Sequence, residues 1–254
     1  MEAILQISDL RKTYGFRGIH YPALNGINLT VAKGEFLGVM GPSGSGKTTL
    51  LNIIATIDRG SHGMVTINGQ DTQHMRRGDL TRFRRDHLGF IFQDYNLLDT
   101  LTLRENICLP LSIANHKPAE INNRLQTVTR TFGLQDVLEK FPAQVSGGQK
   151  QRAAAARAII ANPALVLADE PTGALDSSAA KVLLQTLEQM NHTLGITILM
   201  VTHDATAASY CNRIVFLKDG KILHELRRGG QQTRREFFDQ ILSVVAQIGD
   251  KEAA

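Results

Sequence analysis

The sequence predicts an α/β protein: a parallel sheet covered by helices, with a helical insert. Three features predict it. A continuous apolar run from Phe36 to Met40 feeds a glycine-rich loop, Gly41 to Gly46, and then a helical pattern. Helix-like and strand-like segments alternate between Gln149 and Val201, as in parallel strands joined by crossover helices. Between these regions, from about Asp94 to Val145, helical patterns prevail and strand runs are few.

Composition narrows the class. The 254 residues are 43% hydrophobic and 20% charged, enough apolar surface for a substantial core. A disordered or collagen-like chain is excluded. The two cysteines, Cys108 and Cys211, lie far apart without a neighbouring cysteine or spaced histidines. They suggest neither a disulfide framework nor a zinc site, and they fit a reducing compartment. Against 24 acidic residues stand 28 basic ones, a net charge of +4, too mild to point to nucleic acid. The start, MEAILQISDL, carries an early acid and does not read as a secretory signal. No apolar run reaches the roughly 18 residues needed to span a bilayer. Work at a membrane would therefore go through a partner.

In chain order, Ile4 to Ile7 and Ile27 to Val31 read as strands, and Ala32-Lys33-Gly34-Glu35 as a turn. Lys47 to Ile57 reads as a helix with Leu50, Leu51, Ile53 and Ile54 on its apolar side. Met64 to Ile67 and Asn68-Gly69 read as a strand and a tight turn. The basic stretch Arg76 to Arg85 reads as a solvated helix face, since Phe83 is its only aromatic. Pro110, Pro118, Gly133 and Pro142 read as helix breakers in the insert. Then follow a helix (Gln149 to Ile160), a strand (Leu165 to Ala168), a helix (Ser177 to Met190) and a strand (Ile196 to Val201). Arg213 to Leu217 and Lys221 to Leu226 form a hairpin about Asp219-Gly220. Apolar residues at helical spacing from Thr233 to Ile248 give a C-terminal helix packed on the core.

Two motifs carry chemistry on their own. Gly41-Pro42-Ser43-Gly44-Ser45-Gly46-Lys47-Thr48 has the P-loop spacing, with an apolar strand before it and a helix after it. The glycines let backbone N–H groups wrap a phosphate chain, and the helix start adds positive potential. Lys47 supplies a point charge to the β- and γ-phosphates, and Thr48 a hydroxyl to Mg²⁺. Leu165 to Glu170 is a buried strand ending in two acids, where a parallel sheet meets its ligand. Asp169 suits Mg²⁺ and Glu170 suits proton removal from an attacking water.

A third motif, Val145-Ser146-Gly147-Gly148-Gln149 before an Ala/Arg-rich helix, resembles the signature of ATP-binding cassette (ABC) ATPases. P-loop, signature and acidic strand stand in that family's order, and the resemblance covers essentially the whole chain. It implies an α/β P-loop NTPase fold of the ABC type, with a mixed, mainly parallel sheet core, an N-terminal antiparallel β subdomain and a helical insert, as one domain over 1–254. The core with its β subdomain would span 1–93 and 165–226, the helical subdomain 94–164, and the C-terminal helix 227–254. It implies ATP contacts from Gly41, Pro42, Ser43, Gly44, Ser45, Gly46, Lys47, Thr48 and Thr49. Tyr14 resembles the aromatic that stacks on adenine, with Tyr21 the alternative in the long segment Gly15 to Ala23. Gln93 resembles the Q-loop glutamine, on ATP and its Mg²⁺, and Asp176 the D-loop acid. Lys47, Glu170 and His203 would be catalytic, His203 resembling the switch histidine. Ser146, Gly147, Gly148 and Gln149 would complete the ATP site of a second chain, which makes a homodimer the working unit.

Finer wording resembles one branch. Gly173 in Asp169-Glu-Pro-Thr-Gly-Ala-Leu-Asp176, and the run His87 to Asn106, resemble lipoprotein-release and macrolide-efflux ATPases. Asp94 to Thr100, Ala207 to Cys211, and Gly229-Gly230-Gln231 before Phe237-Phe238 are most similar to Bce-type ATPases of bacitracin and antimicrobial-peptide resistance in Gram-positive bacteria. That resemblance implies a peripheral subunit on the cytoplasmic face of the membrane. It also implies a separate transmembrane permease, a sensor histidine kinase in the same complex, and no nucleic-acid partner. DNA-repair cassettes would carry coiled-coil heptads or zinc cysteines between the motifs, and translation cassettes a second cassette; neither is present. A non-transport cell-division cassette is a further alternative.

Overall fold

The computed structural model describes residues 2–16 and 19–250. Positions 17 and 18 of the segment 15–23, and 251–254 of the expected C-terminal region, lie outside them. The chain runs β1 (Ala3–Phe16), β2 (Ile19–Ala32), β3 (Phe36–Met40), α1 (Lys47–Ile54), β4 (His62–Ile67) and β5 (Gln70–Asp71). Next come α2 (Arg77–His87), β6 (Leu88–Ile91), α3 (Leu103–Ile113), α4 (Pro118–Phe132), α5 (Gly147–Ile159), β7 (Leu165–Asp169) and α6 (Ser177–Leu194). The last elements are β8 (Ile198–Val201), α7 (Ala205–Ala208), β9 (Arg213–Lys218), β10 (Lys221–Arg227) and α8 (Arg234–Asp250).

These elements form two compact units, one of residues up to Met75 and from Thr197 onward, the other Arg76–Ile196. The first holds an antiparallel sheet in the order β2-β1-β4-β5. It also holds β3 flanked by β8 and β9, both parallel to it, with β10 antiparallel on β9. β3 is buried along its whole length, which explains its unbroken apolar run. Arg213 on β9 is buried and joins three segments: it bonds Glu35 twice, Glu225 on β10, and the Thr30 carbonyl on β2. In the second unit β6 and β7 pair in parallel. The alanine run Ala153–Ala156 of α5 is fully buried, small side chains that admit the close approach of neighbours.

Several elements depart from the sequence pattern. β1 and β2 extend far beyond the short apolar runs, because a bulge at Asp9 (φ 42°) breaks the alternation while the ladder continues to Tyr14↔Tyr21 and beyond. α1 ends at Ile54, not Ile57: Thr56 turns left-handed, and the N–H groups of Ile57 and Asp58 fold back to the Asn52 carbonyl. Pro110 lies inside α3 rather than ending it. The Thr102–Glu105 capping box and buried Leu103, Ile107 and Leu111 hold the helix through the proline, which sits near its C-terminal end. α5 starts at Gly147 rather than Gln149, since Ser146 is its N-cap. Strand β6, too short to stand out in the sequence, and the four-residue α7 were not anticipated.

Candidate functional site

The first unit builds the phosphate cradle. β3 delivers the chain to Gly41, where a Cβ would sit 2.0 Å from the Leu217 carbonyl oxygen, so only glycine permits the loop to leave the sheet here. Gly46 is left-handed (φ 102°) at the start of α1, and a Cβ would meet the Ala23 carbonyl at 2.5 Å. The loop is anchored from outside by the Gly220 N–H, which donates to the Ser45 carbonyl at 3.1 Å. Lys47 folds back over it, its Nζ donating to the Gly41 and Pro42 carbonyls at 2.8 Å each. Ser45 Oγ is buried without a hydrogen-bond partner, and Thr48 is exposed. An ammonium held across a glycine loop, beside an orphaned hydroxyl at a helix N-terminus, suits a polyphosphate.

Two further predicted residues lie in this unit. β8 runs parallel to β3, and the Thr202 N–H donates to the Val39 carbonyl at 3.1 Å. Exposed His203 thus leaves the sheet beside the strand that feeds the P-loop. Asp204 then caps α7 through the N–H groups of Thr206 and Ala207. Tyr14, on β1, meets the side chain of Thr49 on α1 and keeps 43% of its surface exposed. Tyr21 lies directly across the ladder from it.

The second unit gathers the other motifs. Asp169 ends buried β7 and Glu170 follows it; both are half-buried. Glu170 is left-handed (φ 44°), an unusual conformation for a residue with a side chain and one that concentrates at functional sites. Gln151 of α5 is fully buried and its amide donates to the Phe92 carbonyl at 2.9 Å and the Pro171 carbonyl at 2.7 Å. One side chain thereby ties the backbone next to Gln93 to the backbone next to Glu170. A Cβ at Gly173 would stand 3.0 Å from the Gln93 side-chain amide, close enough that the amide would have to give by a few tenths of an ångström.

Ser146 and Gln149 cap α5 reciprocally: the Gln149 N–H donates to Ser146 Oγ, and the Ser146 N–H to Gln149 Oε1. Asp176 caps α6, accepting from the N–H groups of Ser178 and Ala179 at 2.9 Å each, bonds that hold its carboxyl below the usual range. The two helix starts face a hollow of about 490 Å³ lined by Ser146, Gly147, Gly148, Arg152 and Asp176, among others. Burial lowers the pKa of Arg152. Tyr95 spans the same region, its hydroxyl donating to the Ala174 carbonyl at 3.3 Å and standing 3.0 Å from where a Cβ on Gly147 would be.

The structure therefore groups Gly41–Thr49, Tyr14 and His203 in one unit, and Gln93, Asp169, Glu170, Ser146–Gln149 and Asp176 in the other. Sequence reasoning passed over Gln151, Arg152 and Tyr95. The first two follow the signature residues directly, at the start of the Ala/Arg-rich helix, where they could have been found. Tyr95 lies in the stretch Asp94–Thr100, but its tie to Ala174 leaves no local trace, since that partner is distant in sequence. Among the described residues no three His, Cys, Asp or Glu side chains are grouped to hold a metal.

Comparison with known proteins agrees with this chemistry. The sequence profile of the ABC transporter family matches residues 24–173. An uncharacterised ABC transporter ATP-binding protein, YvcR of Bacillus subtilis, is 53% identical over 97% of this chain and 95% of its own length. The bacitracin export ATP-binding protein BceA of Halalkalibacterium halodurans is 48% identical over 97% of each chain. Among solved structures, the dimeric post-hydrolysis state of the cassette MJ0796 of Methanocaldococcus jannaschii, bound to ADP and Pi, superposes with a TM-score of 0.80. It is 40% identical and the match covers 89% of this chain and 99% of that one.

Proposed function

The chain belongs to the ABC transporter family, as an ATP-binding subunit that hydrolyses ATP, and from that premise we propose that it works as a homodimer energising a separate membrane permease against bacitracin-like antimicrobial peptides. The observation that carries the ATP chemistry is the Gly41–Thr48 loop with Lys47 laid across it. The peptide substrate is supported by the name of BceA and by the Bce-type wording at Asp94–Thr100 and Ala207–Cys211. The dimer is supported by the MJ0796 structure. Among the described residues no helix is long and apolar enough to cross a membrane, and the relatives are ATP-binding subunits. A peripheral place on the cytoplasmic face, in a Gram-positive cell, is the reading that goes with both. A sensor histidine kinase in the same complex belongs to this proposal through the Bce-type wording alone.

The residue roles follow from their chemistry. Tyr14 stacks on the purine, and Gly41–Thr49 and Lys47 hold the phosphates. Mg²⁺, when bound, neutralises phosphate charge, and Thr48, Gln93 and Asp169 are the residues that would hold it. Glu170 takes a proton from the attacking water, and His203 steadies the γ-phosphate. Ser146–Gln149 and Asp176 act on the nucleotide of the partner chain. Catalysis is positioning and charge neutralisation.

The test is genetic. A Gram-positive host deleted for this chain should become sensitive to bacitracin-like peptides with lipoprotein maturation intact, and Lys47→Ala should fail to restore resistance. Failed lipoprotein sorting with unchanged peptide sensitivity would assign the chain to lipoprotein release instead. Restoration by Lys47→Ala would remove Lys47 from the mechanism.

A further inference from the structure

Tyr14 is not a loose surface aromatic. Its hydroxyl donates to Asp58 Oδ2 at 2.8 Å. Lys12 Nζ donates to the other carboxylate oxygen of Asp58 at 2.6 Å and to the Arg59 carbonyl at 2.8 Å. The same ammonium lies over the Tyr14 ring, 4.7 Å from its centroid. Asp58 is itself fixed. Its N–H donates to the carbonyl of Asn52 on α1 at 3.1 Å, and Oδ1 also accepts from the Arg59 N–H at 2.7 Å. Burial works against the Asp58 carboxylate, but the hydrogen bonds from Lys12 and Tyr14 outweigh it and keep the group ionised well below neutral pH. Lys12 is spent on this arrangement: only 13% of its side chain is exposed.

A ring on β1 is thus clamped to the turn that follows the helix whose first residues are Lys47 and Thr48. One face is covered by an ammonium, while much of the ring stays open. An exposed tyrosine without such ties would lose rotamer freedom each time a flat base stacked on it. We propose that Lys12 and Asp58 are positioning residues that pre-set Tyr14, one face held by the ammonium and the other presented to the purine of ATP. The proposal rests on the reading of Tyr14 as the purine-stacking residue and names what holds it.

Calorimetric titration of the full chain with two probes tests it: the imido analogue of ATP, and tripolyphosphate, which shares the P-loop contacts but has no base. Tyr14→Phe should weaken the analogue about fivefold, the net worth of about one hydrogen bond, and Asp58→Ala by at least as much, since it also frees Lys12. Both should leave tripolyphosphate binding unchanged. The double variant should be no weaker than the weaker single one, since both changes break the same link. An equal loss of tripolyphosphate binding would overturn the proposal, because the pair would then support the whole loop. Additive losses in the double variant would also overturn it. Tyr14→Ala separates the two readings. If it leaves the analogue unaffected, the stacking role falls and the clamp with it. If it weakens the analogue while Asp58→Ala does not, the clamp alone falls.

Discussion

Gln151 shows how much can hang on one buried side chain. Its two donors satisfy the carbonyls of Phe92 and Pro171, neighbours of Gln93 and Glu170, while its own Oε1 is buried without a partner. A group left half-satisfied in the interior is kept for its geometry more than for its net stability. Gln151→Leu keeps the bulk but strands two carbonyls, each costing about 1–3 kcal/mol if it stays buried and unpaired. The variant should melt several degrees lower, and its kcat should fall more than its affinity for ATP. Thermal denaturation and steady-state phosphate release measure this; a variant with wild-type kcat would reduce Gln151 to a packing residue. The sequence held Gln151 in plain view beside the signature, but not its reach, because both acceptors are backbone atoms of segments distant in the chain.

Elements are held in register by charge as well as by apolar contact. Burial alone would depress the Arg213 pKa, yet the Glu35 and Glu225 carboxylates raise it. Burial would raise Glu225, but bonds from Arg227 and Arg213 lower it below the usual glutamate range. A lowered carboxyl pKa contributes stability that is present above the unfolded value, about 4.3, and lost as pH falls through the native value. Glu225→Gln should therefore melt below the wild type at pH 7, and the gap should close as the pH is taken below about 4. Melting curves across pH decide this, and a gap that persists to pH 3 would mean that packing, not charge, was lost. At this scale the apolar strands β3 and β7 and the helices α5 and α6 were legible, because burial on both faces or a capped amphipathic pattern leaves a local trace. Strand β6 and the outer parts of β1 and β2 were not. Their residues are few or solvated, and only ladder bonds to a partner make them strands.

For the whole molecule, the two-chain reading has the sharpest test. Glu170→Gln keeps size and hydrogen bonding but removes the base, and a positioned general base is worth about 10²- to 10⁴-fold in rate. ATP then binds without turnover and stabilises the closed dimer by mass action. Light scattering should find a dimer with Mg·ATP and a monomer with Mg·ADP, with phosphate release nearly abolished. Adding Ser146→Arg should restore the monomer by placing bulk and charge at the cap of α5. Wild-type turnover in Glu170→Gln would remove Glu170 as the base, and an ATP dimer that survives Ser146→Arg would remove the signature from the interface. By itself the sequence determined the α/β class, the P-loop, the acidic strand end and the family, because each is written in short runs whose spacing and residue types carry the chemistry locally. Only the tertiary structure decided that the compact units divide after Met75 and after Ile196, that Gln151 links two motifs, and that Lys12 and Asp58 grip Tyr14. Those contacts join residues tens of positions apart, and strand register and helix ends, not local pattern, bring them within bonding distance.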